Sequence, residues 1–222
     1  MFTHVEMPVK INELDCETLP TGRTYVTPDG NKYPSITTVL GLRGKEGIQA
    51  WRKRVGEEVA NKISTQAATR GTAVHQLAED YVNNKPDWAK GAMPANLFTF
   101  NTIKSLLDKH VDNIWAQEVP LYSNRFRIAG RVDCIAEYDG ELTIIDYKTA
   151  RKPKKKEHIT NYFIQAAFYA AAFYELTGIA IKRFAIMIAV DDNEPQVFKG
   201  NTFDYIPELN KVRIEYLEAK GI

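Results

Sequence analysis

The chain has 222 residues, a length that suits one domain better than two. Its 44% hydrophobic and 26% charged residues are ordinary for a globular protein and exclude a disordered, collagen-like or coiled-coil chain. Lys and Arg number 29 and Asp and Glu 28, so the net charge is +1 and an anionic partner would have to be bound by a local basic patch.

Two cysteines, Cys16 and Cys134, are too few for a disulfide scaffold or for a four-cysteine zinc or iron–sulfur site. The N-terminal sequence has no apolar stretch of the signal-peptide type, and no apolar run approaches the roughly 18 residues of a membrane helix. We therefore expect a soluble, cytoplasmic protein with no membrane partner, and the sequence indicates no particular protein partner.

The first half of the chain, residues 1–116, is predicted to be mostly helical after a turn-rich start. A hairpin is predicted around Asp29-Gly30, and Ser35 is a predicted helix cap. Apolar residues three to four positions apart predict helix from 36 to about 83, with a break at Gly71-Thr72, and again from about 94 to 115.

At about Gln117 the pattern changes to strands. Three antiparallel strands are predicted, the last two joined by a turn at Asp139-Gly140; a helix ended by Gly178, two further strands and a last helix near Pro207 follow. This order predicts one α/β domain over residues 1–222, in which residues 117–222 form a central mixed β-sheet of about five strands flanked by helices.

Two acids and a lysine are predicted to meet on neighbouring strands. Across the Asp139-Gly140 turn from Asp133, the next strand carries Asp146 and Lys148 on one face, while Tyr147 points away and offers its backbone carbonyl. This oxygen set suits Mg²⁺ or Mn²⁺, and a lysine beside it can orient the attacking water. The competing interpretation is an ordinary ion pair on an exposed strand.

Five sequence pieces occur in an order that resembles the PD-(D/E)XK nuclease superfamily, in the RecB-like exonuclease branch that contains the mitochondrial genome maintenance exonuclease and phage homologues. The D-x-K motif alone is common, but the ordered set is specific. The pieces are Gly71 to His75, Glu118, Gly130 to Asp133, Ile144 to Thr149, and Gln165 with Tyr169.

The resemblance implies a restriction-endonuclease-like core and a role for each matched residue. Asp133 and Asp146 would be metal ligands with the Tyr147 carbonyl, and Lys148 would be the catalytic lysine. His75 would be a further ligand and Glu118 a ligand or water-positioning acid, while Gln165 and Tyr169 would brace the site; an aromatic core stripe explains Tyr169 nearly as well. Val132 replaces the proline of the family pattern, and two cysteines cannot build the iron–sulfur cluster found in some members.

Basic residues near these motifs are candidates for DNA binding. A run directly after the predicted catalytic strand would lie where phosphates arrive, although such runs are often only solvated surface. The candidates are Arg151, Lys152, Lys154, Lys155 and Lys156 in the run, and Arg52, Arg54 and Arg70 on the helical half.

The expected function is therefore Mg²⁺- or Mn²⁺-dependent hydrolysis of DNA by an exonuclease acting on single-stranded ends. One alternative is a structure-specific or restriction-type endonuclease on the same core. The other is a non-catalytic DNA-binding subunit, which the complete set of acids and lysine argues against.

Overall fold

The computed structural model describes residues 1–221. Within these residues, eight strands form two sheets, and five α-helices pack around them. The strands are β1 (Cys16–Leu19), β2 (Gly22–Val26), β3 (Lys32–Pro34), β4 (Val111–Ser123), β5 (Ile128–Tyr138), β6 (Glu141–Ala150), β7 (Arg183–Val190) and β8 (Gln196–Asn201). The helices are α1 (Ile36–Val55), α2 (Glu57–Val82), α3 (Pro94–His110), α4 (Thr160–Thr177) and α5 (Ile206–Lys220).

The larger sheet has the order β4-β5-β6-β7-β8, and only β6 and β7 run parallel. Helix α4 makes the crossover between these two strands. Ile144 packs in the core with α1, α4 and α5, whereas Ile145 packs with α2 and α3 on the other face. The predicted α/β class, with a five-stranded mixed sheet flanked by helices, is confirmed.

The turn-rich start folds into a small sheet of β1, β2 and β3. The predicted hairpin is present: β2 pairs with β3, and Gly30 adopts a φ of 78° in the turn between them. Tyr25 and Tyr33 pack against Ala129 of β5. This segment is therefore a packed part of the domain that covers one end of the larger sheet.

The predicted helix break at Gly71-Thr72 is wrong, because α2 runs through both residues. The break lies at Gly56, whose φ of 88° and ψ of 148° form a conformation that side chains rarely tolerate. A single glycine inside a helix costs only about 1 kcal/mol relative to alanine, so Gly71 can remain helical.

The predicted end of the third helix is also wrong: α3 ends at His110, and residues 111–115 belong to β4. Val111 and Ile114 are both buried on the α2/α3 face, and two buried residues three positions apart are typical of a helix. The strand can bury both because its register shifts between Asp112 and Ile114, with Asn113 at a φ of 46°.

Other predicted signals are present where the sequence places them. The Oγ of Ser35 accepts the N–H of Thr38 at 3.0 Å and caps α1. Asp139 and Gly140 both have positive φ in the hairpin between β5 and β6, and Gly178 ends α4 at a φ of 75°. Within residues 1–221 the structure contains no helix with the length and apolar composition needed to cross a membrane.

Candidate active site

Strands β5 and β6 separate where the two aspartates stand. Their pairing runs from the turn as far as Cys134 opposite Ile145, and Asp133 and Asp146 occupy the next position in that register. Instead of continuing the ladder, Oδ2 of Asp133 accepts the backbone N–H of Tyr147 at 2.8 Å. The side chain of Asp133 therefore takes the place of a ladder hydrogen bond.

A third acid stands in the same row, on β4. Gln117 pairs with Cys134 and Val119 with Val132, so Glu118 faces Asp133 between them. Glu118 has a φ of 48°, a left-handed conformation that is uncommon for this residue type, and its carbonyl accepts a hydrogen bond from the guanidinium of Arg131. Glu118, Asp133 and Asp146 thus form one row across three neighbouring strands.

His75 reaches this row from helix α2. Its Nδ1 lies 3.5 Å from Oδ2 of Asp133, and one ligand atom from each of His75, Glu118 and Asp133 falls within 4.8 Å of the other two. The His75 ring also makes an edge contact with the Tyr147 ring, with centroids 6.1 Å apart. The helical motif and the sheet motifs are therefore brought to one place, as the sequence predicted.

Asp146 and Lys148 lie side by side, but not on an exposed face. Asp146 is only 1% exposed, and the Lys148 ammonium contacts its Oδ2. Neither carboxylate oxygen of Asp146 accepts a hydrogen bond of normal geometry within residues 1–221. The Lys148 Nζ also lies 5.1 Å from the centre of the Tyr162 ring on α4.

Burial and repulsion between carboxylates raise the pKa values of Glu118 and Asp146. Burial raises the pKa of Glu118 to about 7, and the charges of Asp133 and Glu79 add to the effect. Burial also raises the pKa of Asp146 to about 6, against the opposing attraction of Lys148. Burial lowers the pKa of Lys148, but attraction to Asp146 and Asp133 outweighs it and the net direction is upward.

These features fit a divalent cation. Hard oxygen ligands with one imidazole, here Glu118 and Asp133 with His75, suit Mg²⁺ or Mn²⁺. Oδ1 of the buried Asp146 also has no hydrogen-bond donor within residues 1–221, so it is free to accept a cation. The repulsion among Glu118, Asp133 and Asp146 would also be relieved by a positive ion. The ring of Tyr147 packs on the α2/α3 face, as the alternation predicted, so only its backbone is available to the site.

Gln165 and Tyr169 lie one turn apart on α4 and border the same space. Gln165 Nε2 donates to Tyr169 Oη at 3.1 Å, and both side chains are buried. Gly130 allows this approach, because a Cβ there would lie 3.0 Å from Tyr169 Cε1 and 3.1 Å from Ile36 Cγ2. Tyr169 also belongs to the apolar core, as the aromatic stripe predicted.

A cleft of about 260 Å³ opens over Glu118 and Asp133, whereas the buried Asp146 is not part of its lining. Sequence reasoning gave several of its lining residues no role in the site. Ser35 was predicted only as a helix cap, Arg131 could have been found from its place two positions before Asp133, and the others come from the small sheet and the start of α1. These additional lining residues are Arg23, Tyr25, Ser35, Ile36, Thr37 and Arg131.

Of the basic side chains predicted to bind DNA, some are exposed and two are occupied by contacts with neighbouring side chains. Arg52 contacts Glu57 and Asn61 at the junction of α1 and α2, and Arg70 contacts Asp191. Exposed side chains are those of Arg54, Arg151, Lys152, Lys154, Lys155 and Lys156. The loop that carries the lysines is held to β8, since Gln196 bonds both the N–H of Lys154 at 2.6 Å and its carbonyl at 3.0 Å.

Residues 97–212, just over half of the chain, match the family described as the PD-(D/E)XK nuclease superfamily. The human protein named mitochondrial genome maintenance exonuclease 1 is 28% identical over 148 residues, 62% of this chain and 40% of its own length. The Xenopus tropicalis protein of that name is 22% identical over 204 residues, 87% of this chain and 56% of its own. The chain thus covers less than two thirds of either relative.

Two further proteins are also similar to this chain. A Clostridium beijerinckii protein, named as one of the subunits of an ATP-dependent helicase/nuclease, is 35% identical over 86 residues, which are 37% of this chain and 6% of that protein. A crystal structure of a protein from Eubacterium rectale covers 70% of this chain and 67% of its own, with 19% identity and a TM-score of 0.48.

Proposed function

The chain belongs to the PD-(D/E)XK nuclease superfamily, and from that premise we propose that it is a Mg²⁺- or Mn²⁺-dependent DNA exonuclease acting on single-stranded ends. The observation that carries the proposal is the row of Glu118, Asp133 and Asp146 beside Lys148, at the opening of a five-stranded sheet. A structural ion pair would not need three acids at one point where both strand ladders are interrupted.

His75, Glu118, Asp133 and Asp146, with the Tyr147 carbonyl, are the proposed ligands of the cation. When bound, a divalent ion supplies Lewis-acid charge that stabilises the negative charge growing on the phosphate during hydrolysis. Without it, the acids would repel the substrate, since phosphate and carboxylate carry the same sign of charge.

Lys148 is proposed to orient the attacking water and to stabilise the developing negative charge. Its contact with Asp146 and its position over the Tyr162 ring restrict the ammonium to one region of the cleft. The upward net shift of its pKa keeps this group charged at neutral pH, so it acts as a donor of hydrogen bonds and positive charge.

Gln165 and Tyr169 are proposed to fix the wall of the cleft that faces the acids. The bond between them, and the close approach of Tyr169 to Gly130, leave little freedom for either side chain. A rigid wall beside the reacting phosphate favours one orientation of substrate, which is the source of much enzymatic rate enhancement.

Digestion of end-labelled DNA tests the proposal. Linear single strands, linear duplexes and circular single strands are each incubated with the protein in Mg²⁺ and in EDTA. The proposal expects nucleotides or short products from linear single strands in Mg²⁺ only. Cleavage of circular single strands would identify an endonuclease instead, and tight binding of DNA without cleavage in any metal would identify a non-catalytic binding subunit.

A further inference from the structure

A second, larger cleft lies away from the row of acids. Its volume is about 810 Å³, and it is formed by β2 and β3 of the small sheet, the first turn of α1, the β4–β5 turn and helix α5. Its lining, within residues 1–221, contains no Asp or Glu. The basic side chains in that lining are Lys32, Arg127, Arg213 and Lys220.

Within the described residues, no basic side chain in the lining of this cleft forms an ion pair with an acid. Lys32 and Arg127 are exposed and form no ion pair within the described residues. Arg213 uses its Nε to donate to the carbonyl of Phe126 at 2.7 Å, which holds the guanidinium against the β4–β5 turn. Glu215 of α5 is bound by Arg43 at 2.7 Å instead. The cleft therefore keeps a local excess of positive charge in a protein of net charge +1.

Shared lining residues link this cleft to the acidic site. A smaller neighbouring cleft shares Thr38, Tyr216 and Lys220 with it and adds Lys45. Thr37 lines both this smaller cleft and the cleft over the acids. We call the two clefts together the basic groove, defined by Lys32, Lys45, Arg127, Arg213, Tyr216 and Lys220. It begins at the edge of the acidic site and passes over the start of α1.

We propose that the basic groove binds the phosphate backbone of the nucleic-acid strand whose end lies at the acids. The proposal rests on the nuclease function proposed above and adds a second contact region to it. Unpaired lysine and arginine side chains bind phosphates with little dependence on sequence. Tyr216 is half-buried and lines both parts of the groove, and the Lys220 ammonium lies over its ring at 5.7 Å from the ring centre.

The groove would act on binding rather than on chemistry. A strand held only at the acids would contact few cations, whereas a longer strand would reach Lys45 and then Lys32 and Arg127. Affinity should therefore increase with strand length until the groove is filled. A chain that lacks these cations should bind short strands normally and long strands weakly.

The test compares two triple variants with the same change of net charge. The groove variant carries Lys32→Gln, Lys45→Gln and Arg127→Gln, all at exposed positions. The control carries Lys109→Gln, Lys182→Gln and Lys211→Gln, which are exposed and lie outside the groove. Affinity is measured in Ca²⁺ for single-stranded oligonucleotides of about 4 and about 16 nucleotides, over a series of salt concentrations.

We expect the groove variant to lose at least about tenfold in affinity for the longer strand, with a salt slope shallower by about 0.7 for each phosphate that is no longer bound. Its affinity for the short strand and its cleavage rate at saturation should equal those of the control. If the two variants bind the longer strand with equal affinity, the groove does not bind DNA. The same conclusion follows if the groove variant loses as much affinity for the short strand as for the longer one. Absence of cleavage by the wild-type protein would overturn the nuclease function alone, since length-dependent binding is measured separately.

Discussion

Asp133 accepts the backbone N–H of Tyr147 at 2.8 Å, at the position where β5 and β6 stop pairing. The acid is thus held by the backbone of the strand that carries Asp146 and Lys148. Glu118 faces Asp133 from the other side. The sheet itself sets the relative positions of the candidate catalytic groups, so their removal should change chemistry more than folding.

The variants Asp146→Asn and Lys148→Ala should lose hydrolysis while keeping the fold. Each removes a charge that would act on the reacting phosphate, and losses of this kind reach about 100-fold or more. Cleavage of labelled single-stranded DNA and circular dichroism are the measurements. Glu141→Gln, at the exposed start of β6, is the matched control and should keep full activity. Wild-type rates in both site variants would show that the assignment is wrong.

Much of the fold could be predicted because its signals are local. The strands, the Asp139-Gly140 turn and the Ser35 cap each depend on a few neighbouring residues, and all are present. The α3–β4 boundary could not be read locally, since the shifted register around Asn113 buries Val111 and Ile114 on one face as a helix would.

The sequence could predict which side chains of the candidate active site lie close together, but not their geometry. The spacing of Asp146 and Lys148 requires only the alternation of a strand. The position of Glu118 opposite Asp133 depends on the pairing register and on a left-handed residue, neither of which the sequence displays. The basic groove was not predicted at all, because Lys32, Arg127 and Arg213 come from three separate segments.

Divalent metal should both activate and stabilise the protein. Activity is expected with Mg²⁺ or Mn²⁺, to be lost in EDTA, and to fall in Ca²⁺, whose looser coordination positions the reacting groups poorly. Because a ligand that binds only the folded state stabilises it, Mg²⁺ should also raise the melting temperature. His75→Ala should reduce that increase. Full activity in EDTA would contradict the metal mechanism.

Stability without metal should depend on pH through Glu118. Burial and the repulsion of Asp133 raise the pKa of Glu118 to about 7, so the folded state binds this proton more tightly than the unfolded state does. Between the ordinary carboxyl pKa of about 4.3 and pH 7, the free energy of unfolding contributed by Glu118 therefore falls as pH rises. Asp146, with its pKa raised to about 6, acts in the same direction.

We therefore expect the melting temperature of Glu118→Gln in EDTA to exceed that of the wild type. The difference should grow between pH 4.5 and pH 7, because the pKa of Glu118 is raised from 4.5 to about 7. Scanning calorimetry or dye-monitored melting measures it, with Glu46→Gln, on the exposed face of α1, as control. Mg²⁺ should reduce the difference at high pH. A difference that shrinks with rising pH would contradict the burial of Glu118.

Two glycine substitutions should act in opposite directions. Gly130→Ala forces a Cβ to within 3.0 Å of Tyr169 and 3.1 Å of Ile36, which should destabilise the protein by about 1–3 kcal/mol and lower activity by moving Tyr169.

Gly71→Ala lies in the interior of α2, where its Cβ meets only Thr149 Oγ1 at 3.9 Å, so it should stabilise the protein by up to about 1 kcal/mol. Urea unfolding and single-turnover cleavage measure both. A stabilised Gly130→Ala variant would contradict the close contact with Tyr169.

Neutralising Lys152, Lys154, Lys155 and Lys156 together should weaken DNA binding much more than it changes the rate at saturation. These exposed lysines follow β6, and Gln196 fixes the path of their loop through both backbone groups of Lys154. Because lysines act as point charges on phosphates, each lysine–phosphate pair removed should flatten the dependence of log affinity on log salt by about 0.7 on single strands. Gln196→Ala is the informative control, since it frees the loop but keeps every charge; it should lower affinity with the salt slope nearly unchanged. An unaltered slope in the quadruple lysine variant would mean that this loop is solvated surface and that the strand enters the site along another path.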